Sequence, residues 1–140
     1  MNLGAFGRLV ADLTDALVNR RERLGAREFV AGLKRDVRSA FANGVDPVTG
    51  TPWAPLKYRQ GQILVLTGAL RAAALATVDA AEPSGWGVTV TLAGPAYAGF
   101  HQSGTKRTPQ RRFFGISPET RERVRKNCTE DIVKLIVAKK

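Results

Sequence analysis

The chain has 140 residues, of which 44% are hydrophobic and 24% are charged, a composition typical of a globular protein. This length suffices for a single domain over residues 1–140 with one hydrophobic core, and no apolar run approaches the roughly 20 residues that a membrane-spanning helix needs. Its 22 Lys and Arg against 12 Asp and Glu give a net charge of +10, and its single Cys excludes an intrachain disulfide.

Two amphipathic helices are predicted at the N-terminus, so that the domain is expected to be helical over residues 1–44. Apolar residues recur at three- and four-residue intervals from Leu3 onward, which predicts a first helix near 3–23. The same spacing resumes after Gly25 and predicts a second helix over 26–43. Gly25 marks either a kink or the turn of a helical hairpin, and the pattern leaves this choice open.

The next segment is expected to be a loop followed by a short helix. Gly44 can end the second helix in the left-handed conformation, and residues 46–50 supply the Asp, Pro and Gly that turns favour. Trp53 lies between two prolines, which disfavours both a helix and a central strand, so we expect an ordered loop held by the indole. Thr67 is suited to cap a brief helix that begins at Gly68.

Strand signals follow this short helix. Side chains of alternating character occupy residues 74–80 and again 86–92, and the turn-like segment 82–85 between them predicts a hairpin. Residues 111–116 predict a further strand. Together these segments predict a mainly antiparallel sheet within the loop-and-sheet part of the domain, residues 45–116, with the helices covering one face.

A C-terminal helix is predicted over residues 117–140. Ser117 is a favoured capping residue, Pro118 suits the first helical position, and Glu119 complements the positive end of the helix. The apolar spacing places Cys128 on the buried face, where we expect a structural thiol and not a nucleophile. The expected fold class is therefore α+β, a single domain in which an antiparallel β-sheet packs against N-terminal helices and a C-terminal helix.

The sequence offers no recognisable catalytic or metal site. One His and one Cys cannot form the usual zinc ligand sets, and the acidic residues are scattered singly. His101 and Ser103 lie two residues apart with no evident acid to orient the imidazole, which disfavours nucleophilic catalysis. The sequence contains neither a phosphate-binding loop nor a dinucleotide fingerprint. We therefore predict no enzymatic activity, no cofactor and no metal ion.

The positive charge indicates an anionic partner, and both nucleic acid and an acidic protein surface would satisfy it. The segment between Gly104 and Lys126 carries eight basic and two acidic residues, a net charge of +6. A solvated face that keeps the protein soluble is the alternative explanation of this segment. The N-terminus lacks the basic and apolar regions of a secretion signal, which favours the cytoplasm as the place of assembly.

Three motifs follow one another in a fixed order along the chain. They are Asp46–Leu56, Leu66–Arg71 and Tyr97–Gly104, the last running into Pro109–Ile116. This ordered combination resembles the virion morphogenesis family of Mu-like tailed phages, whose members are described as tail-completion proteins. The resemblance spans residues 29–116 at least. Ser103 departs from it, because a larger apolar residue is expected at this position of the His-Gln-x-Gly motif.

The resemblance implies a structural phage protein of the neck or tail end that joins head to tail. We expect a homo-oligomeric ring of six copies that contacts other neck, connector or tail proteins in the virion, with contact to packaged DNA left open and no membrane partner. A basic nucleic-acid-binding module is the alternative, although no helix-turn-helix, zinc-finger or RNA-binding signature supports it.

Two sets of residues are expected to matter in different ways. His101 is expected to be a hydrogen-bonding member of a turn instead of a general base. The residues expected to determine the fold are Trp53, Gly68, His101, Gln102, Gly104, Phe113 and Phe114. A loop that projects from the sheet over residues 101–112 is expected to offer an assembly surface to an anionic partner. Its cations are Lys106, Arg107, Arg111 and Arg112.

Overall fold

The computed structural model describes residues 3–18, 25–65, 67–82 and 88–137. In this part of the chain the protein forms five helices, which are α1 (Leu3–Val18), α2 (Ala26–Asn43), α3 (Ala69–Asp79), α4 (Ala98–Ser103) and α5 (Pro118–Val137). The predicted helices at the two ends of the chain are confirmed within these residues. The predicted continuation of the first helix over 19–23, and the last three residues of the C-terminal helix, lie outside the described residues.

The central element is α2, on which both α3 and α5 pack. One face of α2 is apolar at helical spacing, and its side chains are buried because they line the core of the protein. These side chains are Leu33, Val37, Ala40 and Phe41. The helix ends at Gly44, whose φ of 66° is left-handed and whose N–H donates to the carbonyl of Ala40, as predicted from the sequence.

A neighbouring face of α2 packs against α5, and the two helices run antiparallel. A Cβ atom on Gly32 would overlap the Thr120 methyl group, and a Cβ atom on Gly25 would lie 2.9 Å from the Val124 carbonyl oxygen. Only glycine therefore lets the helices approach this closely. Gly25 has a φ of 71° and lies outside α2, so the chain does not continue through this position as one helix.

The predicted α+β fold class is wrong, because the described residues form helices and loops without a strand or sheet. The backbone pairing found there is an isolated antiparallel bridge between Val45 and Pro52. The fold is helical, and its apolar core is formed by α2 and α3 together with the loops that cover the C-terminal end of α2, while α5 packs on a neighbouring face of α2.

The first predicted strand, residues 74–80, instead belongs to α3 and its C-cap. Leu70, Ala74 and Val78 are buried at intervals of four residues, which is the spacing of a helical stripe. Alanine also dominates this segment and has the highest helix propensity of all residues. The alternation that predicted a strand was incidental to this stronger helical pattern.

The other two predicted strands lack a ladder partner. Val88, Val90 and Leu92 are half-buried while the threonines between them are exposed, so the predicted alternation of burial is present at 88–92. The segment that was to pair with it is helical, and a strand needs a neighbour for its backbone hydrogen bonds. Residues 111–116 likewise form no strand. Residues 83–85 of the predicted turn at 82–85, and the start of the second predicted strand, lie outside the described residues.

The predicted turn after Asp46 and the predicted cap at Ser117 are confirmed, whereas the N-cap of α3 is Gly68 and not the predicted Thr67. The Asp46 carboxylate accepts a hydrogen bond from the Val48 N–H at 2.7 Å, and Gly50 closes the turn with a φ of 72°. The Ser117 hydroxyl oxygen accepts a hydrogen bond from the Thr120 N–H at 3.1 Å and so caps α5. Among the described helices, none combines the length and the hydropathy needed to cross a membrane.

Candidate functional site

Two loop segments converge on the Phe41 ring at the C-terminal end of α2. The rings of Trp53 and Phe113 both have their centroids 5.7 Å from that of Phe41, and both side chains are buried. The Trp53 indole N–H donates to the Arg112 carbonyl at 2.7 Å, which confirms that the indole holds its loop in place. We call this arrangement the loop cluster, consisting of Phe41, Trp53, Gln102, Arg111 and Phe113.

The Gln102 side chain connects α4 to the segment that was predicted as a strand. Its Oε1 accepts hydrogen bonds from the N–H groups of Phe113 and Phe114, both at 3.2 Å, and its Nε2 donates to the Phe114 carbonyl at 2.7 Å. One side-chain amide therefore supplies the backbone hydrogen bonds that a neighbouring strand would have supplied. This contact brings together two parts of the third sequence motif.

The chain between these two parts forms a compact turn. Gly104 has a φ of 76°, and a Cβ atom there would lie 3.1 Å from the Gln110 nitrogen, so glycine suits this close approach. The Thr105 N–H donates to the Thr108 carbonyl at 2.8 Å, and the Thr105 hydroxyl oxygen accepts from the N–H of Arg107 at 3.2 Å. These bonds give the tip of the loop a defined backbone.

Arg111 is not an exposed cation of this loop, contrary to the sequence prediction. Its side chain is directed into the loop cluster, and the residue is only 7% exposed. The guanidinium donates to the carbonyl oxygens of Ala54 at 2.8 Å and Pro55 at 3.0 Å, so it ties the Trp53 loop to the third motif. Burial, and then the positive charge of Arg59, lower the pKa of Arg111 from its ordinary value.

The remaining three predicted cations differ in accessibility. Arg112 is half-buried, and its guanidinium lies 3.9 Å from the Asp46 carboxylate. Lys106 and Arg107 are exposed at the tip of the loop, and we call these two residues the basic turn. The structure therefore separates the four cations into a buried residue that joins loops, a half-buried one, and two residues that can reach a partner. Their predicted role in assembly stays a prediction.

The environment of His101 favours the neutral imidazole. Its Nδ1 atom is buried without a hydrogen-bond partner, and its ring lies edge-on to Tyr97 with the centroids 6.0 Å apart. Burial, and then the positive charge of Arg111, lower the pKa of His101 from its ordinary value. The His101 carbonyl accepts the Arg111 N–H at 2.8 Å, so the residue connects α4 to the loop through its backbone.

Gly68 and Phe114, the other two residues expected to determine the fold, lie outside the centre of the loop cluster. Gly68 has a φ of 81° and immediately precedes α3, a conformation that favours glycine. Thr67 contributes to this helix start, since its hydroxyl oxygen accepts the Ala69 N–H at 3.4 Å. Phe114 is half-buried and packs at the edge of the core.

Sequence reasoning missed a buried polar cluster where α2 meets the start of α5. Asp36 is buried, and its Oδ2 accepts hydrogen bonds from the Ser117 N–H at 2.7 Å and the Thr120 hydroxyl at 2.6 Å. Its carboxylate thus lies at the positive end of α5 and helps to cap this helix. The signal was available in the sequence, because Asp36 interrupts the apolar stripe of α2 between Leu33 and Val37.

Apolar side chains stay exposed on three helices of the single chain. On α1, Leu3 is 92% exposed and Phe6 is 57% exposed, and Val10 on the same stripe is also exposed. We call these three residues the apolar stripe of α1. On the other two helices, Phe100 of α4 and Ile132, Val133 and Val137 of α5 are exposed, and Tyr97, which immediately precedes α4, is exposed as well.

A groove of about 320 Å³ lies beside α4, and we call it the α4 groove. Its walls are largely apolar and contain several small residues, so that its floor lies close to the backbone. The lining includes Leu92, Gly94, Pro95, Ala98, Gly99 and Phe114. Gln102 and Phe113 of the loop cluster form its inner wall.

In the part of the chain that the structure describes, no group of three or more His, Cys, Asp or Glu side chains could hold a metal ion. Cys128, expected to be buried, is half-buried. Its Cβ lies 3.6 Å from the position that a Cβ on Gly25 would occupy, so it lies at the α2–α5 contact.

Comparison with known proteins agrees with the three sequence motifs. Residues 2–133 match the phage virion morphogenesis family, a longer stretch than the 29–116 that the motifs covered. No curated protein and no solved structure gives a significant match. The family match includes most of the chain, from α1 to the last turns of α5. The protein therefore belongs to the phage virion morphogenesis family.

Proposed function

We propose that the protein is a non-enzymatic structural subunit of the phage neck or tail end, which joins head to tail through ring-forming contacts. The observation that carries the proposal is the family match over residues 2–133, because this family acts in the assembly of phage particles. Membership also indicates association with the virion. The location at the neck or tail end and the formation of a ring go beyond the family match and are proposed here.

The loop cluster supports a structural role because its polar groups are occupied by internal contacts. Gln102 uses its side-chain oxygen and nitrogen to bind backbone groups, and Arg111 donates to two carbonyl oxygens. The His101 ring packs edge-on against Tyr97, and its backbone carbonyl accepts the Arg111 N–H. These motif residues fit a role in shaping the subunit.

Ring formation is supported by the apolar side chains that the single chain leaves exposed on α1, α4 and α5. Exposed apolar surface of this kind is typical of a subunit whose partners cover it in the assembled state. Closed rotational symmetry is the usual arrangement of repeated subunits, and the resemblance to tail-completion proteins leads us to propose six copies. The proposed partners are neck, connector or tail proteins.

The basic turn supports contact with an anionic partner. Lys106 and Arg107 are exposed next to each other, and exposed charges strengthen and speed docking more than they stabilise a fold. An acidic surface on a neighbouring ring and packaged DNA are both compatible with these two cations. The proposal favours the protein ring, because the function assigned to the subunit is the joining of two protein assemblies.

The experiment that tests the proposal uses a phage that lacks this gene and a plasmid that supplies the protein. Without the protein we expect free heads and free tails, and with it we expect joined particles. Imaging of the purified particles should show six copies at the neck or the tail end. Joined, infectious particles without the protein, or particles in which it is absent, would contradict the proposal.

The basic turn is tested in the same system with Lys106→Gln/Arg107→Gln. The matched control is Lys57→Gln/Arg71→Gln, which removes the same charge from two other exposed positions. We expect the first variant to lower the yield of joined particles at least tenfold at unchanged thermal stability, and the control to match the wild type. Equal yields from both variants would show that the basic turn is only a solvated surface.

A further inference from the structure

The C-terminal helix α5 is attached to the subunit without entering its apolar core. No α5 residue whose side chain the structure describes belongs to the cluster of core residues. Among these α5 side chains only Thr120 is buried, and it is polar. The apolar residues Ile132, Val133 and Val137 are exposed. A segment with few buried apolar contacts opens at a lower free energy than the core of the same protein.

The start of α5 is held instead by hydrogen bonds to α2. The Thr120 hydroxyl, which is fully buried, donates to the Asp36 carboxylate at 2.6 Å and accepts from the Arg35 guanidinium at 2.9 Å. The same carboxylate oxygen of Asp36 accepts the Ser117 N–H at 2.7 Å. We call Arg35, Asp36, Ser117 and Thr120 the polar latch. Because Asp36 and Thr120 are buried, the loss of one bond between them leaves polar groups without a partner.

The rest of the α2–α5 contact is a close approach at glycines. Gly32 lies against the Thr120 side chain, and Gly25 lies against Val124 and Cys128. Val124 and Cys128 are only half-buried there. Glycine has no side chain to bury, so this contact removes little apolar surface from water. The attachment of α5 therefore depends more on the polar latch than on apolar burial.

We propose that α5 is a releasable helix, which leaves α2 as a unit when the polar latch opens, while α2, α3 and the loop cluster stay folded. Release uncovers the side of α2 that contains Gly25 and Gly32. The subunit thus has two conformations built into its fold, one with α5 attached and one with α5 released. Asp36 and Thr120 set the balance between them.

Hydrogen exchange of the isolated protein measures the release, because helices in proteins are stabilised mainly by packing and a released α5 no longer protects its amides. The exchange rates of single amides are corrected for their intrinsic rates and compared between helices. In the wild-type protein we expect the α5 amides to exchange at least tenfold faster than the slowest amides of α2 and α3. Equal protection of α5 and these two helices would overturn the inference.

Thr120→Val tests the polar latch. Valine keeps a methyl group against Gly32 but cannot donate to Asp36, so the α5 amides should exchange at least another tenfold faster. Thr129→Val is the matched control, because Thr129 lies on the same helix, is exposed, and bonds only to the Arg125 carbonyl within α5. We expect this control to exchange within about threefold of the wild type.

Thr120→Ser separates the hydroxyl from the packing. Serine keeps the hydroxyl and loses the methyl group, so this variant should exchange more slowly in α5 than Thr120→Val. The opposite order, or α5 exchange in Thr120→Val that equals the wild type, would show that the polar latch does not hold the helix.

Val78→Ala tests whether α5 opens separately from the core, and it does not require the Thr120 variants to fold. Val78 is 0% exposed in α3, and its truncation weakens the core in the attached and the released conformation alike. The slowest amides of α2 and α3 should therefore exchange at least tenfold faster, while the α5 amides stay within about twofold of the wild type. If α5 and the core accelerate together, the subunit opens as one unit and the inference is wrong.

Discussion

The loop cluster and the apolar stripe of α1 use the same kind of side chain in opposite ways. In the loop cluster, Phe113 is 0% exposed and packs on Phe41, and its N–H group is bound by Gln102. On α1, Phe6 is 57% exposed and lies on an uncovered stripe. The motif residues therefore have their partners within the subunit, whereas the α1 residues stay exposed in it and are proposed to find theirs outside it.

The comparison also separates two kinds of experimental readout. Removing a contact inside the loop cluster should change the free energy of unfolding of the isolated protein, because that contact exists in the single chain. Removing an exposed side chain of α1 should change assembly and leave the unfolding free energy nearly constant. Variants of the same residue type in the two regions therefore test the comparison directly.

The largest effect is expected from Phe113→Ala. The ring is fully buried, and its loss removes apolar contacts and leaves a cavity in the core, which should lower the free energy of unfolding by about 3–5 kcal/mol. Phe100→Ala is the matched control, since Phe100 is 59% exposed, and it should cost less than about 1 kcal/mol. Urea unfolding measures the free energy of unfolding of both variants. Similar losses would contradict the claim that Phe113, unlike Phe100, is held by contacts within the subunit.

Gln102→Ala should give the next largest effect. The substitution leaves two N–H groups and one carbonyl group without their partner in a half-buried place, and we expect a loss of about 2–3 kcal/mol. Gln60→Ala changes an exposed residue of the same type and should cost less than about 0.5 kcal/mol. Hydrogen exchange should also show faster exchange at the amides of Phe113 and Phe114 in the Gln102 variant alone.

Arg111→Gln and Arg107→Gln compare two arginines of one loop. The first removes hydrogen bonds to the carbonyl oxygens of Ala54 and Pro55 and should lower the free energy of unfolding by about 2 kcal/mol. The second changes an exposed residue and should cost less than about 0.5 kcal/mol. Thermal or urea unfolding measures the difference. If both variants were equally stable, Arg111 would not join the two loops in solution.

His101 should add a small dependence of stability on pH. Burial lowers its pKa in the folded protein, so the unfolded chain binds more protons between this lowered pKa and the ordinary value near 6.5. Its contribution to stability is therefore full above about pH 6.5 and declines as the pH falls towards the folded-state pKa. His101→Gln should flatten the stability profile in this window, and an unchanged profile would contradict the prediction.

The smallest effect on stability is expected from Leu3→Ser/Phe6→Ser. Both side chains are exposed in the single chain, so the free energy of unfolding should change by less than about 0.5 kcal/mol. The yield of joined particles should nevertheless fall at least tenfold, because the stripe is lost. Circular dichroism during urea unfolding and particle counts give the two readouts. A variant with lowered stability and a normal yield of joined particles would contradict this prediction.

The helices at the two ends of the chain were predictable because their signals are local. Apolar spacing, the left-handed Gly44 and the cap at Ser117 each involve residues within about one turn of one another. The turn that begins at Asp46 was predictable for the same reason. The strand predicted at 74–80 was wrong because the alternation of side chains was given more weight than the four-residue spacing of Leu70, Ala74 and Val78, which favoured a helix.

The candidate site was less predictable, because its decisive contacts join distant segments. The sequence showed that Arg111 belongs to a basic stretch, but it did not show that the carbonyl oxygens of Ala54 and Pro55 lie within hydrogen-bond distance. A buried arginine and an exposed one have the same local sequence signal. Arg111 is buried because the fold places its guanidinium beside the Trp53 loop, and Arg107 is exposed because the fold places it at the tip of its own loop.

The sequence by itself determined where α2 starts and stops, where α5 starts, which turn follows Asp46, and which family the motifs resemble. The tertiary structure decided that residues 111–116 bind the Gln102 amide and not a strand, and that α1 leaves its apolar stripe uncovered. Helix and turn signals act between near neighbours, whereas a backbone ladder and a buried face each need a partner from elsewhere in the chain. Only the folded arrangement reveals which partner is present.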